Sequence, residues 1–263
     1  MDLKIKGKVA VVTASSKGLG KSVAEALAKE GVNLAICSRN RKSLITTADN
    51  IRKTYKVEVL PITCDVSNPN EIVKLKETVL DKFKACHILF TNAGGPPSGK
   101  IEDFSSEDFQ SALELNLMST INLVKSFLPV MKSQKWGRII ALTSSNVKQL
   151  LHGFPLSNVS RLSVVAFIKS VAMEFAQFNI TANVIAPGDF MTELTENYLV
   201  KQSKNEGISY DTALEQLKNS IPAKMIGNPS DLGALAAFLS SEYTSYLTGE
   251  TILIDGGKYC GVL

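Results

Sequence analysis

The sequence predicts a doubly wound α/β fold on a seven-stranded, mostly parallel sheet, and three observations carry that expectation. Seven apolar runs of strand length recur along the chain. Helical patterns separate them, and the first run leads through a glycine turn straight into an amphipathic helix. Strands that alternate with helices favour parallel pairing, because each crossover carries the chain back to the same edge of the sheet.

The first strand, 9–12, reads Val-Ala-Val-Val, β-branched and uncharged as a strand covered on both faces requires. The turn is Thr13-Ala-Ser-Ser-Lys-Gly-Leu-Gly20, and a helix follows over about 19–29. Gly18 and Gly20 let a ligand approach the backbone. The helix start aims unpaired N–H groups and a positive dipole end at the same place, so a phosphate would fit there. The later strand runs are 32–37, 57–62, 87–91, 138–143, 180–186 and 251–254, and helical patterns fill 40–53, 69–83, 106–132, 157–178 and 231–240. The stretch 190–222 breaks the rhythm. It is rich in Thr, Glu, Asn and Lys, has a short helical pattern near 211–217, and reads as a lid-like or disordered insertion. No linker divides the chain, so 1–263 is expected to be one domain.

With 263 residues and 44% apolar content the chain can bury one large core. A net charge of +4 on scattered lysines gives no nucleic-acid stripe. The charged N-terminus leads directly into a strand and no apolar run is long enough to span a bilayer, so a cytoplasmic protein with no membrane partner is expected. Cys37, Cys64, Cys86 and Cys260 lack metal-like spacing and read as reduced thiols, and no metal site is expected. His87 opens an apolar run and reads as structural.

Ligands of open α/β sheets bind beyond the carboxyl ends of the strands. There stand Thr13 to Gly20, Ser38-Arg39, Cys64-Asp65-Val66, Asn92-Ala93-Gly94-Gly95, Thr143-Ser144-Ser145 and Pro187-Gly-Asp-Phe-Met-Thr192. In this order they resemble the short-chain dehydrogenase/reductase family over nearly the whole chain. Its glycine turn corresponds to Thr13 to Gly20, its N-N-A-G to Thr91 to Gly94, and its helical asparagine to Asn116. Its P-G-x-x-x-T corresponds to Pro187 to Thr192 and its D-G-G to Asp255 to Gly257. The resemblance implies a Rossmann-type domain, a nicotinamide cofactor, a small carbonyl or alcohol substrate, and a homotetramer.

A cofactor without a 2′-phosphate is held by a carboxylate about 20 residues beyond the glycine turn. Here Ser38 and Arg39 occupy that place, with Lys17 as a second cation in the turn, so NADP is expected and NAD less so. The resemblance puts Thr13, Ser15, Lys17, Gly18 and Leu19 around the phosphates and Asp65 and Val66 beside the adenine. It puts Asn92, Ala93 and Gly94 along the cofactor, and Pro187, Gly188 and Thr192 near the carboxamide. Ala14 stands where the family has its first glycine, and a methyl group there disfavours positive φ.

The resemblance fails at the family's Y-x-x-x-K, which occurs nowhere in the chain. Aligning Ser160-Arg161 with the usual S-K pair puts Ser157 at the tyrosine position and Arg161 at the lysine position. Arg161 can still hold ribose hydroxyls, but Ser157 is far less acidic than a phenol of pKa about 10. Asn116, Ser145, Ser157 and Arg161 are therefore the candidate catalytic set, with Ser144 a competitor to Ser145. His152, Tyr198 and Tyr210 are alternative proton donors. Three readings stay open: an NADP-dependent oxidoreductase interconverting a carbonyl and an alcohol, a weakly active or inactive dinucleotide-binding module, or a different reaction such as dehydration or isomerisation on the same scaffold.

Overall fold

The computed structural model describes residues 1–262. One sheet runs through it in the order β3-β2-β1-β4-β5-β6-β7. The strands are β1 (Val9–Val12), β2 (Asn33–Ser38), β3 (Val59–Thr63), β4 (Ile88–Thr91), β5 (Gly137–Leu142), β6 (Ile180–Pro187) and β7 (Thr251–Ile254). Every pairing is parallel, so "mostly parallel" understates the order of the sheet. The order turns back on itself at β1 and β4, the switch point where doubly wound sheets open a crevice.

The helices are α1 (Gly18–Lys29), α2 (Arg41–Tyr55), α3 (Pro69–Phe83), α4 (Ser106–Leu113), α5 (Ser119–Gln134), α6 (Pro155–Phe175), α7 (Glu193–Glu206), α8 (Tyr210–Asn219) and α9 (Pro229–Leu239). They form two layers, each with its own core. Val12, Leu27, Leu34, Ile36, Phe90, Ile140 and Leu232 lie on one face, and Val11, Leu75, Leu89, Phe127, Ile139, Ile168 and Val184 on the other. Alternate residues of β1, β4 and β5 thus feed opposite cores, which is why these strands read as unbroken apolar runs.

Three expectations need correction. The stretch 190–222 is neither disordered nor built on one short helix: α7 and α8 pack against each other, with Leu199 and Ala213 buried. The fourteen-residue α7 escapes sequence inspection because Leu199 is its one buried residue, leaving no periodic stripe. The pattern 106–132 is two helices joined by a π turn at Glu114–Met118, not one continuous helix. Ala14 takes the positive φ that its side chain disfavours, at 49°.

The cysteines are free thiols, three of them buried. His87 is structural, its Nδ1 accepting the Val9 N–H at 3.0 Å. Among the described residues no helix is long and apolar enough to cross a membrane, and no cluster of His, Cys, Asp or Glu could hold a metal ion.

Candidate active site

At the carboxyl edge, the turn between β1 and α1 is fixed from inside. Thr13 Oγ1 donates to the Asn92 carbonyl and accepts from the Asn92 N–H, both at 2.7 Å. Ser15 Oγ donates to the Val12 carbonyl at 2.8 Å, and the Ser15 N–H reaches the Cys37 carbonyl at 3.1 Å. The hydroxyls of Thr13 and Ser15, expected at the phosphates, are committed to shaping the turn. Gly20 is required by space, because a Cβ there would lie 2.4 Å from the Ala14 carbonyl oxygen.

The face turned outward is open. A Cβ on Gly18 would meet only Thr192 Cγ2, at 3.9 Å, and one on Gly94 would meet nothing within 4 Å. Side chains of Asn40, Asn68, Ser105, Thr192, Ser209 and Asn228 cap α2, α3, α4, α7, α8 and α9. No side chain caps α1, whose first N–H groups stay available to an anion. Lys17 reaches across to α7 and pairs with Glu193 at 2.7 Å. Both partners are exposed, so the pair holds little energy and yields to a stronger anion.

Beyond β2, Ser38 is buried with its hydroxyl donating to the Asn40 carbonyl at 3.2 Å, and Arg39 is exposed. Asp65 Oδ1 accepts from the Ser67 N–H at 3.0 Å and its hydroxyl at 2.7 Å. Burial opposes ionisation of this carboxyl, but the Ser67 hydrogen bonds and the field of Arg39 leave it below the ordinary carboxylate range. Val66 is buried and Ala93 half-buried. Half-buried Leu19 packs on the core, so only its backbone faces the turn. Beyond β6, Gly188 lets the chain pass Asp255, whose Cβ would lie 2.7 Å from an added Cβ. Thr192 caps α7, bringing the starts of α1 and α7 to one mouth.

Helix α6 packs against both the π turn and the 3-10 turn Ser145–Val147, which gathers the candidate catalytic residues. Ser144 caps that turn and donates to Asn146 Oδ1 at 3.0 Å; Asn146 in turn donates to Asn158 at 3.1 Å. Ser144 is therefore used up, while the hydroxyls of Ser145 and Ser157 make no hydrogen bond among the described residues. Asn116 sits in the π turn, a distortion frequent at functional sites, with its carbonyl accepting from Thr120 at 2.8 Å. Its side-chain Nδ2 is buried without a partner.

Arg161 is 9% exposed, and Nη1 donates to the Thr143 carbonyl at 2.9 Å. Its other N–H groups make no hydrogen bond among the described residues, and no carboxylate pairs with it. Burial alone brings this guanidinium down to about 10. Nη2 points to the loop after β4, where a Cβ on Gly95 would lie 3.8 Å away. His152 is exposed on a cavity of about 830 Å³ that Lys100, Ile101, Leu150, Leu151 and Asn158, the neighbour of Ser157, also line. Tyr198 and Tyr210 are exposed on α7 and α8.

The family model described as enoyl-(acyl carrier protein) reductase matches residues 13–258. The chain belongs to the short-chain dehydrogenase/reductase family. It is 30% identical over 258 residues to a D-beta-hydroxybutyrate dehydrogenase of Rhizobium meliloti (strain 1021), covering 95% of this chain and 98% of that one. It is 28% identical over 264 residues to a 3-oxoacyl-(acyl-carrier-protein) reductase of Aquifex aeolicus (strain VF5), covering 98% of this chain and all of that one. Among solved structures, the L-sorbose reductase of Gluconobacter frateurii complexed with NADPH and L-sorbose superposes with a TM-score of 0.97. The two are 31% identical over the full length of both chains. These relatives of the short-chain dehydrogenase/reductase chain are all dehydrogenases or reductases, and the fold is the one they share.

Proposed function

We propose that the protein is an NADP-dependent oxidoreductase acting on a small carbonyl compound or its alcohol. The observation that carries this reading is the end of β2, where the carboxylate that would select NAD is replaced by Ser38 and an exposed Arg39. The site fits the cofactor on its own geometry: an uncapped α1 start, open space outside Gly18 and Gly94, and a guanidinium without a counter-ion. When bound, the nicotinamide supplies a hydride or accepts one.

The N–H groups of α1 and Lys17 would hold the diphosphate, Arg39 the 2′-phosphate, and Asp65 with Val66 the adenine. Asn92 to Gly94 would line the backbone of the cofactor, Arg161 would hold the ribose next to the nicotinamide, and Pro187, Gly188 and Thr192 would bound the carboxamide. Ser145 polarises the substrate carbonyl and Asn116 supports the donor set. Residues 1–263 act as one domain, with 190–222 closing over the substrate. Exposed Met118, Val159, Leu162 and Met173 on the π turn and α6 support assembly into a homotetramer. The same reading leaves room for a catalytically weak dinucleotide-binding module, favoured by Ser157 where the family carries a phenol.

Fluorescence titration with NADPH and NADH tests the reading. About a tenfold preference for NADPH is expected, equivalent to roughly 1.4 kcal/mol, and it should vanish in Arg39→Ala. Equal affinities for the two cofactors would refute it.

A further inference from the structure

The cavity of about 830 Å³ lies between two loops, one that follows β4 and one that precedes α6. They are tied together where the Gly99 N–H donates to the Gly153 carbonyl at 2.9 Å. Pro155 and Asn158 of α6 complete the wall, so the cavity reaches the first turn of the helix that carries Ser157.

Large aliphatic side chains stand open on this wall. Ile101 is 73% exposed and Leu150 62%, and Leu151 faces the same space. A hydrocarbon group that covers them releases water from apolar surface on both sides, which favours its binding.

The polar side chains of the wall are nearly all spent. Lys100 Nζ pairs with Glu102 Oε1 at 3.3 Å, so the two charges of the wall balance. The Asn158 amide is used at both ends, its Nδ2 donating to the Leu151 carbonyl at 3.0 Å and its Oδ1 accepting from Asn146 at 3.1 Å. The His152 imidazole is left, with no hydrogen bond among the described residues. A carboxylate entering here meets as much negative as positive charge, and a polyol finds one free side chain for several hydroxyls. Polar groups that give up water without gaining a partner oppose binding. An uncharged hydrocarbon body carries no such cost.

We propose that this cavity is the subsite for the non-reacting part of the substrate, and that it selects free, uncharged ketones with an aliphatic or alicyclic body, or their secondary alcohols, over keto acids and sugars. Ile101, Leu150 and Leu151 set that choice. The inference rests on the oxidoreductase reading for its reaction and adds the class of substrate.

Prilimary evidence for selectivity comes from binding alone, measured on the whole protein with Prodan, an uncharged naphthyl ketone whose emission brightens and shifts to the blue in apolar surroundings. Prodan should bind, and Leu150→Asp or Ile101→Asp should weaken it at least about tenfold. Both positions are exposed, so the fold should tolerate either change, and NADPH affinity should be the same in both variants. Tyr246→Asp, at a fully exposed site before β7, should leave Prodan binding unchanged. In competition, 2-octanone should displace Prodan at a concentration at least about tenfold below that needed for acetoacetate or L-sorbose. With NADPH supplied, 2-octanone should also be reduced with a kcat/KM at least about tenfold above the other two. Prodan binding that ignores Leu150 and Ile101 overturns the proposal. So does displacement by the keto acid or the sugar at equal or lower concentration, or their faster reduction. If 2-octanone displaces the probe and no compound is reduced, the oxidoreductase reading fails while the selectivity of the cavity stands.

Discussion

Each end of β5 meets a buried arginine, Arg138 in the strand itself and Arg161 reaching in from α6, and the two are held differently. At the amino end Arg138 is fully buried and held by three carbonyls: Nε donates to the Ser241 carbonyl at 3.1 Å and Nη1 to those of Gly137 and Asn179 at 2.9 and 3.1 Å, while Nη2 is buried without a hydrogen-bond partner. Its charge lies 3.8 Å from Glu242 and stacks over the Trp136 ring at 4.3 Å. At the carboxyl end Arg161 has one carbonyl and no acid. Burial depresses both guanidinium groups, and only at Arg138 does a carboxylate oppose it. A buried charge held by three carbonyls and a nearby acid knits elements together. One held by a single carbonyl, with no acid beside it, keeps donors for a ligand.

The sharpest way to break this contrast is to remove each charge. Arg161→Met should lower kcat/KM by about 10² to 10³, the typical cost of losing one preorganised donor. The melting temperature should hold or rise, because a buried charge without a counter-ion is removed. A melt that falls with activity intact would make Arg161 structural. Arg138→Met should do the reverse, costing about 2–3 kcal/mol in urea unfolding by removing three buried hydrogen bonds to the carbonyls of Ser241, Gly137 and Asn179. Turnover per folded molecule should not change.

Smaller effects sharpen the same division. The carboxyl edge keeps strain as well as unpaired charge, since Ala14 sits at φ 49°. Ala14→Gly should therefore stabilise the fold by roughly 0.5–1 kcal/mol. No gain in unfolding free energy would mean the turn accommodates the methyl group without strain. The amino edge should show the smallest effect, in pH dependence. Burial first, then Lys8, lowers the pKa of His87, whose neutral ring accepts the Val9 N–H. The unfolded chain then binds the extra proton, so stability should decline as pH falls below about 6.5. His87→Gln should flatten that part of the stability–pH curve; an unchanged slope would put its origin in other groups.

Much of this was legible in one dimension. The five inner strands are buried on both faces and read as largely apolar runs, the half-buried edge strands β3 and β7 are apolar enough to announce themselves too, and the glycine turn and the strand-end residues identified the family. A local rule also exposed the missing phenol, because the Y-x-x-x-K spacing lies within one helix. The long α7 was invisible, since a helix with a single buried residue leaves no stripe. The π turn at Asn116 was equally silent, its five residues having the same composition as ordinary helix.

The sequence alone determined the layers, the crossovers and the identity of the groups at the carboxyl edge, because those depend on periodicity and on which side chains follow each strand. Only the tertiary structure decided which of those groups are spent and which are free. Thr13, Ser15 and Ser144 are consumed by hydrogen bonds within turns or between neighbouring strand ends. Ser145, the Nδ2 of Asn116 and most of the Arg161 guanidinium are left over. Whether a donor is satisfied depends on which carbonyls the packed elements bring within about 3 Å, and residues far apart in the chain supply those partners.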